Sequence, residues 1–358
     1  MYIYFFVFLL IIILYPIYQK KYKKMYLVLI LGVITLLFCL RDFSVGTDTR
    51  NYIDIYNNNI AENINYIKKE FPSKSLLFSE PLFFLYCSFL QGLGIDGRGF
   101  IVVTSIFMIG SMLQFIKKYS DNYLISLFTF VTLGVMPMML SALRQSIALA
   151  IVFYAYTFLF ERKSIQYFSL VFLAAGFHVS AYIMIPAYFI LPIFRKRKSS
   201  IVFWVSTIAG FFGVSFFSII ISKLELGKRF VGYLDSNVVR TNPLLIILYL
   251  AIGLVYIFLN WGYYGEGIKN STINHYMFIL YMVGVSIIIV SLQNTIISRF
   301  AVYYTLGIPI LLGNVINRIG KARYRALITL MCICIEGMFF FYTTPSSVYG
   351  IANYAFGF

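Results

Sequence analysis

Apolar runs of bilayer-spanning length succeed one another along this chain, and few structures are open to a sequence written that way. Met25–Leu40 reads MYLVLILGVITLLFCL without one charge, and runs of the same kind begin near Tyr2, Phe100, Tyr123, Leu143, Ile201, Pro243, Ile273, Ile296 and Ala326. A hydrocarbon core about 30 Å thick takes roughly 20 apolar residues in a helix. Inside it every backbone N–H and C=O must be bonded within the protein, which leaves helices or closed barrels. Continuous rather than alternating apolar runs select helices. The expectation is an all-α, polytopic membrane bundle of about 10–12 transmembrane or re-entrant helices, with a GT-C-like architecture as one form it can take. A single membrane domain would cover 1–358, with outer loops at about 41–79 and 222–242.

Charge then orients the bundle. Only 12% of the residues are charged, against about a quarter in a soluble domain. The net charge of +16 does not call for nucleic acid, because the basic residues stand in short clusters between apolar runs, where the positive-inside rule puts them. The first run, MYIYFFVFLLIIILYPIY, precedes Lys20, Lys21, Lys23 and Lys24. A secretory signal has the reverse order, so the run is expected to be a retained helix with its amino end outside. Lys117 with Lys118, Arg162 with Lys163, RKRK at Arg195–Lys198, and Arg318, Lys321, Arg323 and Arg325 would then lie inside. That parity requires Glu80–Gly94 to be a short re-entrant or juxtamembrane helix and Ile165–Phe194 to break near His178, because thirty helical residues reach only about 45 Å. The alternative makes the first a true span and the second one long tilted helix. Cys39, Cys87, Cys332 and Cys334 lie in or beside apolar helices, at spacings that predict neither a disulfide framework nor a metal site.

The charges outside the clusters carry the functional signal. Arg41, Arg98, Arg144 and Arg299 each stand alone at the expected outer end of an apolar helix. A charge at such a place is costly and marks a functional candidate, and arginine's planar fork suits bidentate binding of phosphate. Together the four point to a lipid-linked phosphate or pyrophosphate. Snorkelling, or capping of helix carboxyl ends, is the alternative for each of them. Among the acids, Asp48 sits in RDFSVGTDT, Arg41–Thr49, and Glu80 opens an apolar run. Asp48 either caps the helix that follows or takes a proton from a sugar hydroxyl. His178, in AAGFHVSAY, either bonds within the bundle or works as a base or a phosphate-side donor.

The pieces RDFSVGTDTRNYIDIY, EPLF at Glu80, SALRQSIALAI, AGFHVSAYIMIPAY and SRFAVYY, taken in order, resemble the EpsG-like polysaccharide polymerases, a branch of the Wzy-type repeat-unit polymerases. The resemblance implies polymerisation of undecaprenyl-pyrophosphate-linked oligosaccharide repeats at the outer face of the bacterial cytoplasmic membrane, into exopolysaccharide, capsule or O-antigen. It further implies as partners the lipid-linked oligosaccharides, the bilayer, a chain-length regulator and a flippase. No cofactor is expected, because guanidinium groups can fill a bound cation's role, with a metal at Asp42 and Asp48 as the alternative. On this expectation Arg144 and Arg299 hold pyrophosphate oxygens and Arg41 or Arg98 serves the second carrier. Asp48 leads as general base with Glu80 in reserve, and His178 is a base or a donor. A flippase would show corresponding broken helices in two halves and charge through both leaflets. A ligase would show one large outer loop with late chemistry, and an acyltransferase would rest on His178 alone.

Overall fold

The computed structural model describes residues 1–19, 22–60, 65, 80–223, 241–260, 271–347 and 349–357. Residues 61–64 and 66–79 of the expected outer loop at 41–79, nearly all of the one at 222–242, and Lys20 and Lys21 of the first basic cluster therefore lie outside the described residues. The chain is helical and has no strand among the described residues, as the continuous apolar runs require. Its contacts fall into two compact units, one made of Met1–Tyr182 with Gly320–Phe358 and the other of Ile183–Ile319.

In the first unit, Gly97–Tyr119 and Leu143–Phe160 are long enough and apolar enough to span a membrane, and so is the helix Ala322–Thr343. Large apolar side chains such as Met338, Phe89 and Ile165 point outward; a soluble fold would bury them, whereas lipid covers them at no cost. Leu143–Phe160 is the central helix, packed against both Gly97–Tyr119 and Ser164–Phe177. Pro81–Gly92 is short, and packs on Ser164–Phe177, where Gly176 lets the Leu82 side chain approach.

Two spans expected to be single helices are bent. Tyr123–Leu140 divides into Tyr123–Thr132 and Val135–Ser141, 49° apart, at Gly134, whose φ of 85° only glycine adopts cheaply. In the second unit, Ile296–Ile316 divides at Leu306 and Gly307 with a 50° bend. Among the described residues four helices are long and apolar enough to span a membrane, or six if each bent pair is one span, and shorter apolar helices stand beside them. Ile165–Phe194 breaks as expected, into Ser164–Phe177, a 3-10 stretch Val179–Met184 and Ala187–Phe194.

The second unit also contains Ser199–Lys223, Pro243–Asn260 and Ser271–Val290. A Cβ on Gly210 would stand 3.0 Å from the Ser286 backbone, the small-residue contact that lets membrane helices approach closely. Asn314 donates to Asn274 Oδ1 at 2.9 Å, fully buried.

The carboxyl-terminal tail had no signal in the sequence. It folds back over the RDFSVGTDT turn, where Asp42 N–H donates to Ala355 O, Thr47 N–H to Tyr349 O and Gly357 N–H to Leu40 O. Met1 donates its amine to Ala352 O at 2.8 Å, which brings the two chain ends together on one side of this unit.

Candidate active site

The site begins with one strained residue. Glu80 has φ 55° and ψ 51°, a left-handed conformation that costs a side-chain-bearing residue about 1–3 kcal/mol. Pro81 behind it disfavours the right-handed helical region, and the Pro81–Gly92 helix starts from that turn. The strained backbone directs the carboxylate inward, where three groups from distant parts of the chain meet it.

Arg144, second residue of the central helix, donates from Nη1 to Glu80 Oε2 at 2.8 Å. His178 meets Glu80 Oε1 through Nδ1, and Val179 N–H donates to the same oxygen at 3.2 Å. The break at His178 makes the last bond possible, since helix Ser164–Phe177 ends there and frees the following N–H for a side chain. The Arg144 guanidinium lies 5.2 Å from the centres of both the Tyr52 and Phe83 rings.

Exposure divides the roles. The Glu80 side chain is 10% exposed, against 26% for Arg144 and 28% for His178. The carboxylate is thus the inner hub, and the cation and the imidazole present accessible edges. Burial pushes the Glu80 carboxyl up, but the His178 hydrogen bond and charge, Arg144 and the Val179 N–H outweigh it, so the acid sits below its ordinary range and is ionised near neutrality. Whenever the ring is neutral, an ionised acceptor at Nδ1 fixes the proton on that nitrogen and leaves Nε2 as the basic one. The arrangement can therefore take a proton at His178 Nε2 and stabilise negative charge at Arg144.

The other residues singled out in the sequence are placed as follows. Asp48 is the N-cap residue of Thr49–Asp54 but makes no side-chain cap bond, so capping does not account for it. It is half-buried, one turn before Tyr52, and its charge is felt at the Tyr52 hydroxyl. Arg41 and Arg98 form a second group. Arg41 is fully buried and donates from Nη1 to Phe38 O at 3.0 Å, while Arg98 donates to Arg41 O at 2.6 Å and lies 4.4 Å from the Phe43 ring centre. Both bond carbonyls at the end of helix Lys23–Cys39, the capping geometry, and sit beneath the tail. Arg299 belongs to the second unit, half-buried at the second position of Ser298–Thr305. No group of three His, Cys, Asp or Glu side chains with metal-binding geometry occurs among the described residues.

Tyr52 and Phe83 were not foreseen as the walls around Arg144, although they lie within the stretches RDFSVGTDTRNYIDIY and EPLF. A buried acid, Glu336, was also missed. It accepts from Thr129 at 3.2 Å and Thr132 at 3.0 Å, and its signal was being the one acid in the apolar run Ala326–Tyr342.

No curated protein and no solved structure matches the chain. The model of the EpsG family, by contrast, matches residues 26–356, a range that includes the Arg41–Tyr56 stretch and all of Glu80, Arg144, His178 and Arg299. The chain is a multi-pass membrane protein that belongs to the EpsG family, and its part in the cell is in polysaccharide biosynthesis.

Proposed function

We propose that the chain is a glycosyltransferase that joins undecaprenyl-pyrophosphate-linked oligosaccharide repeats at the outer face of the bacterial cytoplasmic membrane. The single observation that carries this reading is that one buried carboxylate, Glu80, holds a cation and a base side by side, each with an accessible edge. The acceptor sugar's hydroxyl oxygen attacks the anomeric carbon of the donor glycan. The bond from that carbon to the pyrophosphate oxygen breaks, and its electron pair leaves with the carrier. The hydroxyl proton passes to His178 Nε2. Arg144 stabilises the charge that develops on the pyrophosphate, the kind of fixed electrostatic assistance that contributes most in a water-poor site. Glu80 orients both groups and is a positioning residue. Asp48, one turn from Tyr52, is the other candidate for the base. A flippase delivering repeats and a regulator of chain length are the partners this activity needs.

Turnover of lipid-linked repeat by purified variants separates the two candidate bases. His178→Gln is expected to lower the rate by about 10²–10⁴, the worth of a positioned base, with substrate still bound, and Asp48→Asn by less than about tenfold. If Asp48→Asn abolishes elongation while His178→Gln retains it, the proton goes to Asp48 and the imidazole is a donor to phosphate.

A further inference from the structure

A groove lies between Gly97–Tyr119 and Leu143–Phe160 at the opposite end of the central helix from Arg144. Arg144 and Thr157 on that helix are about 20 Å apart along its axis. The groove encloses about 640 Å³, within the roughly 300–1,000 Å³ typical of sites for small molecules. Its floor is aromatic and buried, built by Phe115 and Phe153, whose ring centres are 5.0 Å apart. Its rim is basic, with Lys117 and Lys118 exposed at the helix end. Lys118 gives one of its three protons to Thr157 Oγ1 at 3.2 Å. Glu161, the acid whose charge Lys118 reaches, is held by Lys163 at 2.8 Å.

We infer that this groove is a binding site for the headgroup of an anionic membrane phospholipid, separate from the Glu80 site and independent of the proposed reaction. The lining sets the class of ligand. Both walls are helices of membrane-spanning length, so the groove opens where a bilayer's headgroups meet its acyl chains. An aromatic floor under a cationic rim matches a molecule with an apolar body and an anionic head. Basic pockets between membrane helices are a recurrent form of phospholipid recognition. A free phosphate would use the rim and leave the aromatic floor unfilled, and a lipid without net charge would bring no excess anion to the Lys117 and Lys118 rim.

Native mass spectrometry of the full chain in detergent, titrated with phosphatidylglycerol or with phosphatidylcholine of the same acyl chains, tests the inference. Wild type is expected to retain phosphatidylglycerol more tightly. Lys117→Gln with Lys118→Gln is expected to remove that preference, at about fivefold for each lysine. Both side chains are exposed, so the variant should keep its melting temperature, and Lys118→Arg, which preserves charge, should keep the preference. Arg144→Ala, in the other site, should leave it intact. Equal retention of the two lipids by wild type, or a preference that survives in the double glutamine variant, overturns the assignment. Displacement of the lipid by millimolar inorganic phosphate would also overturn it, by making the site one for the free anion.

Discussion

Glu80→Gln is expected to abolish chain elongation and to lower stability by about 3 kcal/mol, the lower end of the range for breaking a buried ion pair. Glutamine keeps the size of the side chain and loses its charge. Arg144, three-quarters buried between Tyr52 and Phe83, would then carry a positive charge with no anion against it, and that uncompensated charge is the source of the large cost. A glutamine amide can turn either its oxygen or its NH2 group toward His178 Nδ1, so the basic nitrogen would no longer be set. A thermal melt in detergent reads the first effect and product length on a gel reads the second. The double variant Glu80→Gln with Arg144→Gln should regain much of the lost stability, because the orphan charge is gone, yet remain inactive. Such non-additivity is what a coupled pair produces. A single Glu80→Gln variant with a wild-type melt and normal product would remove Glu80 from the hub.

Gly46→Ala carries the next largest effect. Gly46 has φ 91°, and a Cβ there would collide with the Leu140 carbonyl, stand 2.8 Å from Thr49 Oγ1 and 2.9 Å from Ser141 Cα. Left-handed backbone costs about 1–3 kcal/mol without glycine, and overpacking costs about 1–3 kcal/mol more. Two of the three obstacles are backbone and cannot rotate away. Thr47 also shares a hydrogen bond of 2.8 Å with Ser141, so the turn is fastened to the segment that leads into Arg144. A displacement of about 1 Å at a reacting group can cost 10²-fold in rate. The yield of monodisperse protein and the rate of elongation should both fall sharply. Gly134→Ala is the comparison: φ is 85° but nothing lies within 4 Å of the added carbon, so only the backbone strain remains. Equal losses from the two substitutions would show that the contact with Leu140 and Ser141 does not matter.

Much of this could be read in the chain before any coordinates. Continuous apolar runs dictate helices because the bilayer offers the backbone no water, and no fold detail is needed for that step. Arg144, His178 and Glu80 each stood out by being polar where polarity is expensive. Their meeting could not be read, since Glu80 is separated from Arg144 by 64 positions and from His178 by 98, and only packing brings the short Pro81–Gly92 helix to both. Arg41 and Arg98 gave the same sequence signal as Arg144. An arginine that caps carbonyls and one that presents an edge outward both occupy helix ends, and the difference lies in what the tail covers. The bends were hidden for a related reason, as Gly134 and Gly307 sit in runs whose composition stays apolar across the break. The Asp48 side chain illustrates the converse, a position with ideal cap chemistry whose carboxylate makes no cap bond.

The most direct measurement supplies the purified protein with a short undecaprenyl-pyrophosphate-linked repeat and follows products by gel and mass spectrometry. A glycosyltransferase of the kind proposed gives a ladder whose steps are whole repeats, releases one undecaprenyl pyrophosphate for each bond formed, and gives neither in His178→Gln. A repeat that binds, is never lengthened, and instead crosses a reconstituted bilayer would contradict the account and make Glu80, Arg144 and His178 parts of a transport path.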